Sequence, residues 1–167
     1  AAYYIKNRLS KMGFEIIGSQ RYSVPVIHHE SSRLRISDAG PSIPILPYFG
    51  NAVSPQTIPA PGIKGPLIYG GTGEPRAYNG KTVEDAVVLL ELDSGRNWEY
   101  AATMGARALI YIDRGNSSNI LFKDKFELSP VQFPRFWMPI DQARALFGRF
   151  ENPAVSRVAD QITLTSD

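Results

Sequence analysis

The sequence predicts an α/β fold of the α+β kind, and three observations carry that reading. Residues 86–90 and 108–112 are continuous apolar runs, the mark of strands covered on both faces. Between them, Trp98, Ala101, Ala102 and Gly105 share one helical face. Strand, helix and strand with short connections make a right-handed crossover, which lays two parallel strands side by side. A chain of 167 residues, 43% hydrophobic and 20% charged, suits one domain, or one domain with flanking pieces, able to bury a core.

The chain opens inside a helical pattern. Ala2, Ile5, Leu9 and Met12 recur at spacings of three and four, Lys6, Arg8 and Lys11 lie off that stripe, and Gly13 follows as a C-cap. No Ser, Thr, Asp or Asn caps its start, and the first residue is Ala1 rather than Met, so the helix is expected to begin upstream. A helix this short is marginal in water and needs a surface to pack on. Two half-buried strands are then expected. Tyr22, Val24 and Val26 alternate with Ser23 and Pro25, and Leu34 and Ile36 alternate with Arg33 and Arg35, with Glu30-Ser31-Ser32 as the turn between them. Pro25 makes the first an edge strand.

Residues 38–61 hold six of the thirteen prolines, and Asp38 is their only charge. Ile43, Ile45, Leu46, Tyr48, Phe49, Val53 and Ile58 are too apolar for a flexible linker. The stretch reads as an ordered, proline-stiffened excursion, packed on its own domain as apolar segments usually are; a partner surface is the alternative. Residues 66–69 form a short strand that ends at Gly70-Gly71-Thr72-Gly73, and Asn79-Gly80 signals a tight turn. After the crossover come a polar loop over 113–125 and an aromatic strand over 136–140. A helix follows, with Asp141 as N-cap and Ala143, Leu146, Phe147 and Phe150 as its apolar face. Residues 161–165 alternate as a last strand.

Several chemistries lack their residues. The absence of cysteine removes disulfides, thiolate metal sites and cysteine nucleophiles. A net charge of +2 from scattered basic residues gives neither a nucleic-acid stripe nor a polybasic membrane run. No apolar run reaches the roughly 20 residues that cross a bilayer. His28 and His29 are adjacent, so on a strand they would point to opposite faces and could not readily share a metal. There is no Gly-x-Ser-x-Gly elbow. Gly70-Gly71-Thr72-Gly73 is followed by Glu74-Pro75-Arg76 rather than Gly-Lys-Ser/Thr, which makes it a positive-φ turn instead of a phosphate cradle. The pairs Glu84-Asp85, Glu91-x-Asp93 and Asp124-x-x-Glu127 read as surface carboxylates. Asn116-Ser117-Ser118 is a formal glycosylation sequon, a pattern short enough to arise by chance. The chain is therefore expected to carry no catalytic, cofactor-binding or metal residue of its own.

Three segments together carry a family resemblance. Gly80-Lys81 leads to Val87-Val88-Leu89-Leu90. Residues 101–111 form a helix that ends in Gly105-Ala106 and runs directly into a buried strand. Phe136-Trp137-Met138-Pro139-Ile140-Asp141 then precedes a helix through Leu146. In this order they resemble the core of protease-associated (PA) domains. Asp93-Ser94-Gly95-Arg96 departs from the Arg-Gly type of turn usual there. The flanks, Ala2-x-Tyr4-Ile5 through Leu9 to Gly13-Phe14 and the run 66–71, are similar to secreted zinc aminopeptidases related to the transferrin-receptor and glutamate carboxypeptidase family, where such a domain is inserted near the start of the peptidase.

The resemblance implies a swivelling β/β/α fold, a mixed sheet or open barrel flanked by short helices. It divides the chain into 1–19, a helix belonging to a parent peptidase domain; 20–61, extended strands and the proline-rich excursion; 62–158, the PA core; and 159–167, a strand returning toward the missing domain. It implies a non-catalytic accessory role, bordering the cleft of a zinc aminopeptidase or carboxypeptidase whose zinc lies in the parent domain. Partners would be that parent domain and peptide or protein substrates, in a secreted, periplasmic or cell-surface setting. A free-standing PA-type binding or sorting module is the alternative, and an independent hydrolase the remaining one. Exposure and composition point to Tyr48, Phe49, Arg114, Asn116, Lys123 and Lys125 as the contact surface.

Overall fold

The two apolar runs form neighbouring parallel strands. In the computed structural model, which describes residues 2–15, 18–37, 40–49, 54–125, 131–152, 155 and 157–167, β5 (Val87–Glu91) pairs with β6 (Ala108–Asp113) from Val87↔Ala108 to Glu91↔Ile112. Expectations resting on Asp38, Val53 and Glu127 lie outside the described residues. The crossover between these strands is α2 (Trp98–Thr103), and Gly105, at φ 89°, turns the chain out of it. β4 (Ile58–Tyr69) adds its last three residues in parallel to β5, and β7 (Arg135–Pro139) runs parallel to β6.

The other half of the sheet is antiparallel. β8 (Ala159–Ser166) lies between β4 and β1 (Ser32–Ile36), so the last strand sits inside the sheet. β2 (Ser42–Pro44) pairs with β1, and β3 (Leu46–Pro47) pairs with β7, giving the order β2-β1-β8-β4-β5-β6-β7-β3. Only Ile45 separates β2 from β3, and its N–H reaches the Ser32 carbonyl at 3.0 Å. One bent segment thus serves both edges, and the mixed sheet closes on itself. Closure leaves no long unpaired edge.

Side-chain alternation sorts the core into two clusters. Val87 and Leu89, Ala108 and Ile110, Phe136 and Met138, and Ile162 and Leu164 face the interior, which Leu34, Ile45 and Ile63 complete. α4 (Ile140–Phe147) adds Ile140 and Ala143, and Phe150 beyond the helix meets Tyr69 edge-to-face at 5.4 Å. The opposite parity, Val88, Leu90, Leu109 and Tyr111, packs outward against Trp98 and Ala101 of α2 and Tyr78 of a 3₁₀ turn (Pro75–Tyr78). Parallel strands need both faces covered, which is why 86–90 and 108–112 are apolar at every position. β1 instead alternates, with Leu34 inside and Arg33 and Arg35 in solvent.

Several expectations change. Residues 22–26 form no strand and are exposed throughout, because period-two alternation supplies no partner and none lies alongside. The turn expected at 30–32 is instead the start of the β1–β8 ladder, with Glu30 N–H and Ser31 N–H both donating to the Asp167 carbonyl. α1 (Ala2–Lys11) is helical as its spacing predicts, yet none of its residues is buried. The loop over 113–125 contains a short helix, α3 (Asn119–Lys123). Pro139 stands at the N-cap of α4, and Asp141 lies in the first turn, where its carboxylate still faces the positive end of the helix. Asn79-Gly80 forms the expected tight turn, which follows the 3₁₀ turn at Pro75–Tyr78. The glycine-rich run after β4 is a turn with positive φ at Gly71 (55°) and Gly73 (78°).

Candidate contact surfaces

The two histidines do not sit on a strand. His29 Nε2 lies 2.9 Å from Ser32 Oγ, and Ser32 Oγ lies 2.8 Å from Ser166 Oγ. A histidine beside a serine invites comparison with a nucleophile and its base. Ser32, however, is 3% exposed, with its hydroxyl held between the two partners, so it cannot be presented to a substrate. The trio ties the segment before β1 to the first and last strands. Among the described residues, no group of three or more His, Asp or Glu side chains converges that could hold a metal ion.

Arg114 and Glu91 form a second cluster. Glu91 shares the parity of Val87 and Leu89, and its carboxylate is buried rather than at the surface as expected. Arg114 grips it with both arms, Nε to Oε2 at 2.7 Å and Nη2 to Oε1 at 2.6 Å, and the Tyr69 hydroxyl donates to the same Oε1. Arg114 Nη1 also approaches Glu151 Oε1 at 3.5 Å, and Arg144 Nη2 donates to that oxygen at 2.6 Å. The Arg144 hydrogen bond holds the Glu151 carboxyl below its ordinary range, and burial pushes the Tyr69 phenol up, with Glu91 adding to the rise. Asp113 accepts from Gly115 N–H at 2.8 Å and Ser117 Oγ at 2.7 Å, which shapes the loop that carries exposed Asn116. Arg114 therefore acts first as a strut that fastens this loop to the sheet.

The remaining residues of the expected surface divide at the barrel wall. Tyr48 is 3% exposed and Lys125 1% exposed, so neither presents its side chain as an exposed contact. The Tyr48 ring stacks on Phe122 at 5.8 Å and faces the Arg135 guanidinium at 5.1 Å. Lys125 Nζ donates to the Leu121 carbonyl and to Asp124 Oδ1, each at 2.8 Å, and lies 5.7 Å from the Tyr111 ring. Arg135, fully buried, also stacks on Trp98 at 4.3 Å and donates to the Lys125 carbonyl at 2.7 Å. Ring faces and carbonyls compensate these cations for lost water.

Outside that wall lies an aromatic groove of about 520 Å³, bordered by Pro47, Tyr48, Phe49, Phe122 and Trp137, with Lys123 at its rim. Phe49 stays 59% exposed. Trp137 packs edge-on to Phe122 at 5.6 Å. Ile27, from the segment before β1, lies at one side of the groove. Sequence reasoning named Phe49 and Lys123 but missed Phe122 and Trp137. Parity along β7 offered a signal for Trp137, since it places that ring opposite Phe136 and Met138.

The fold and these surfaces define a mixed α/β domain built on a closed sheet. No protein-family model matches the chain, and no curated protein matches it in sequence. Solved structures do share the fold. An aminopeptidase from Aneurinibacillus sp. strain AM-1 superposes with a TM-score of 0.54 at 17% identity, over 84% of this chain and 31% of that one. A zinc aminopeptidase from Bacillus subtilis gives a TM-score of 0.51 at 17% identity, over 84% of this chain and 32% of its own. The chain thus spans about a third of the length of the aminopeptidases whose fold it shares.

Proposed function

We propose that this chain is a non-catalytic accessory domain of a zinc-dependent peptidase, of the protease-associated type, which borders the active-site cleft and governs access of peptide substrates. One observation carries the reading. Every described residue from 2 to 30 is exposed, yet this arm displays Tyr3, Tyr4, Ile5, Leu9, Phe14 and Tyr22 among its large apolar side chains. Large apolar side chains exposed in this number suit burial against another protein surface. The fold likeness to a third of two aminopeptidase chains supports a peptidase domain as that surface.

In this reading zinc and the hydrolytic residues belong to the parent domain, and the protein works outside the cytoplasm. The test is to express the gene with its flanking sequence. Downstream His-x-Asp and Glu-Glu metal motifs, with residues 2–30 protected from hydrogen exchange in the longer protein, are expected. A membrane span or RING-type cysteines in place of those motifs would favour the free-standing binding module and refute the peptidase reading.

A further inference from the structure

The aromatic groove is poorly explained as part of the core. Its walls are pre-set: Tyr48 is held by the stack on Phe122, whose ring planes differ by 13°, and by Arg135 behind it. Yet Phe49 is left exposed and Trp137 is only half-buried. A rigid aromatic recess with unfilled volume is suited to taking a large apolar side chain, because little ordering is needed on binding.

Two further observations say what kind of ligand it takes. First, the chain's own segment before β1 already lays one branched aliphatic side chain, Ile27, against the groove, and Ile27 remains 50% exposed without filling it. A polypeptide segment carrying an apolar side chain therefore fits alongside. Second, Lys123 is the only charged side chain among the described residues that line the groove, and the neighbouring Asp124 carboxylate is turned to Lys125 at 2.8 Å. The charge that complements this rim is a carboxylate.

We propose that the groove formed by Pro47, Tyr48, Phe49, Phe122 and Trp137 binds a peptide through one aromatic or aliphatic side chain, with Lys123 pairing with a carboxylate next to it. The proposal takes its ligand class, peptide, from the accessory-domain reading. It assigns the domain a preference for apolar side chains followed by an acidic residue.

The experiment titrates the 167-residue chain with the capped tetrapeptide Gly-Phe-Asp-Gly and follows the two tryptophan indole N–H signals by NMR. Trp137 is expected to shift saturably, with a Kd of about 0.1–1 mM, while buried Trp98 stays in place. Replacing Phe by Ser in the peptide is expected to weaken binding about tenfold or more, and Phe49→Ala in the protein to weaken it several-fold. Lys123→Glu is expected to reverse the preference between Gly-Phe-Asp-Gly and Gly-Phe-Lys-Gly. Both substituted side chains are exposed, so the fold is retained. No shift of Trp137 up to about 5 mM peptide would overturn the proposal, as would a shift indifferent to the apolar residue. A Trp137 shift that follows protein concentration alone would assign the groove to a second copy and overturn it too. Cleavage of the peptide in a chelator-sensitive manner would instead count against the non-catalytic reading and leave the groove standing.

Discussion

Glu91 is held by three donors, Arg114 Nε, Arg114 Nη2 and the Tyr69 hydroxyl, at the end of a strand that is otherwise apolar. Sequence spacing placed it with Asp93 on a solvated face, since nothing local distinguishes a carboxylate with a distant arginine from one in water. The arginine comes from the loop after the next strand, and only the parallel register brings the two together. Removing Arg114 leaves a buried carboxylate with a single partner. Arg114→Ala is therefore expected to destabilise the chain by about 1–3 kcal/mol, less than for a fully buried pair because Arg114 itself is partly in solvent. The shift of the urea midpoint measures this, and a change under about 0.3 kcal/mol would show that water replaces the guanidinium freely. Tyr48 and Lys125 teach a similar lesson: their residue types suggested exposure, while the rings of Phe122 and Tyr111, remote or unremarked in sequence, draw them inside.

At the scale of elements, legibility follows periodicity. β5, β6 and α2 were readable because their pattern is dictated by burial on both faces and by the crossover between them. The ring closure was not, because β2 and β3 span three and two residues and are defined by what they pair with rather than by any repeat. Residues 22–26 show the converse, an alternation with no strand beside it. α1 is a ten-residue helix with no packed face, and such a helix is marginal in water. Amide hydrogen exchange of the 167-residue chain is expected to be fast across 2–28 and slowest in β5 and β6, whose amides lie in the middle of the sheet. Deleting residues 1–26 is expected to leave the melting temperature of the barrel within about 3 °C of the parent value. Protection of α1 comparable to β5 would show that the arm packs on the barrel after all.

For the whole molecule, burial of tyrosine hydroxyls sets a pH limit. Desolvation raises the phenols of Tyr48, Tyr69 and Tyr111 and pushes Tyr78 up to about 12. In the unfolded chain these groups ionise near pH 10, whereas the folded state keeps them neutral to higher pH. Stability is thus retained below about pH 10 and falls as pH rises above it, because the unfolded state releases protons first. Urea midpoints compared at about pH 8 and about pH 11 test this; equal midpoints would mean that the phenols ionise in place. The same scale holds the functional account: a closed mixed sheet, an arm of exposed apolar side chains, and a fold shared with part of two aminopeptidases.

The most direct measurement is peptide hydrolysis by the purified 167-residue chain supplied with zinc, assayed with and without chelator. The account predicts no turnover above the zinc-only control in either arm. Chelator-sensitive release of amino acids, proportional to the amount of chain and retained on repurification, would contradict it.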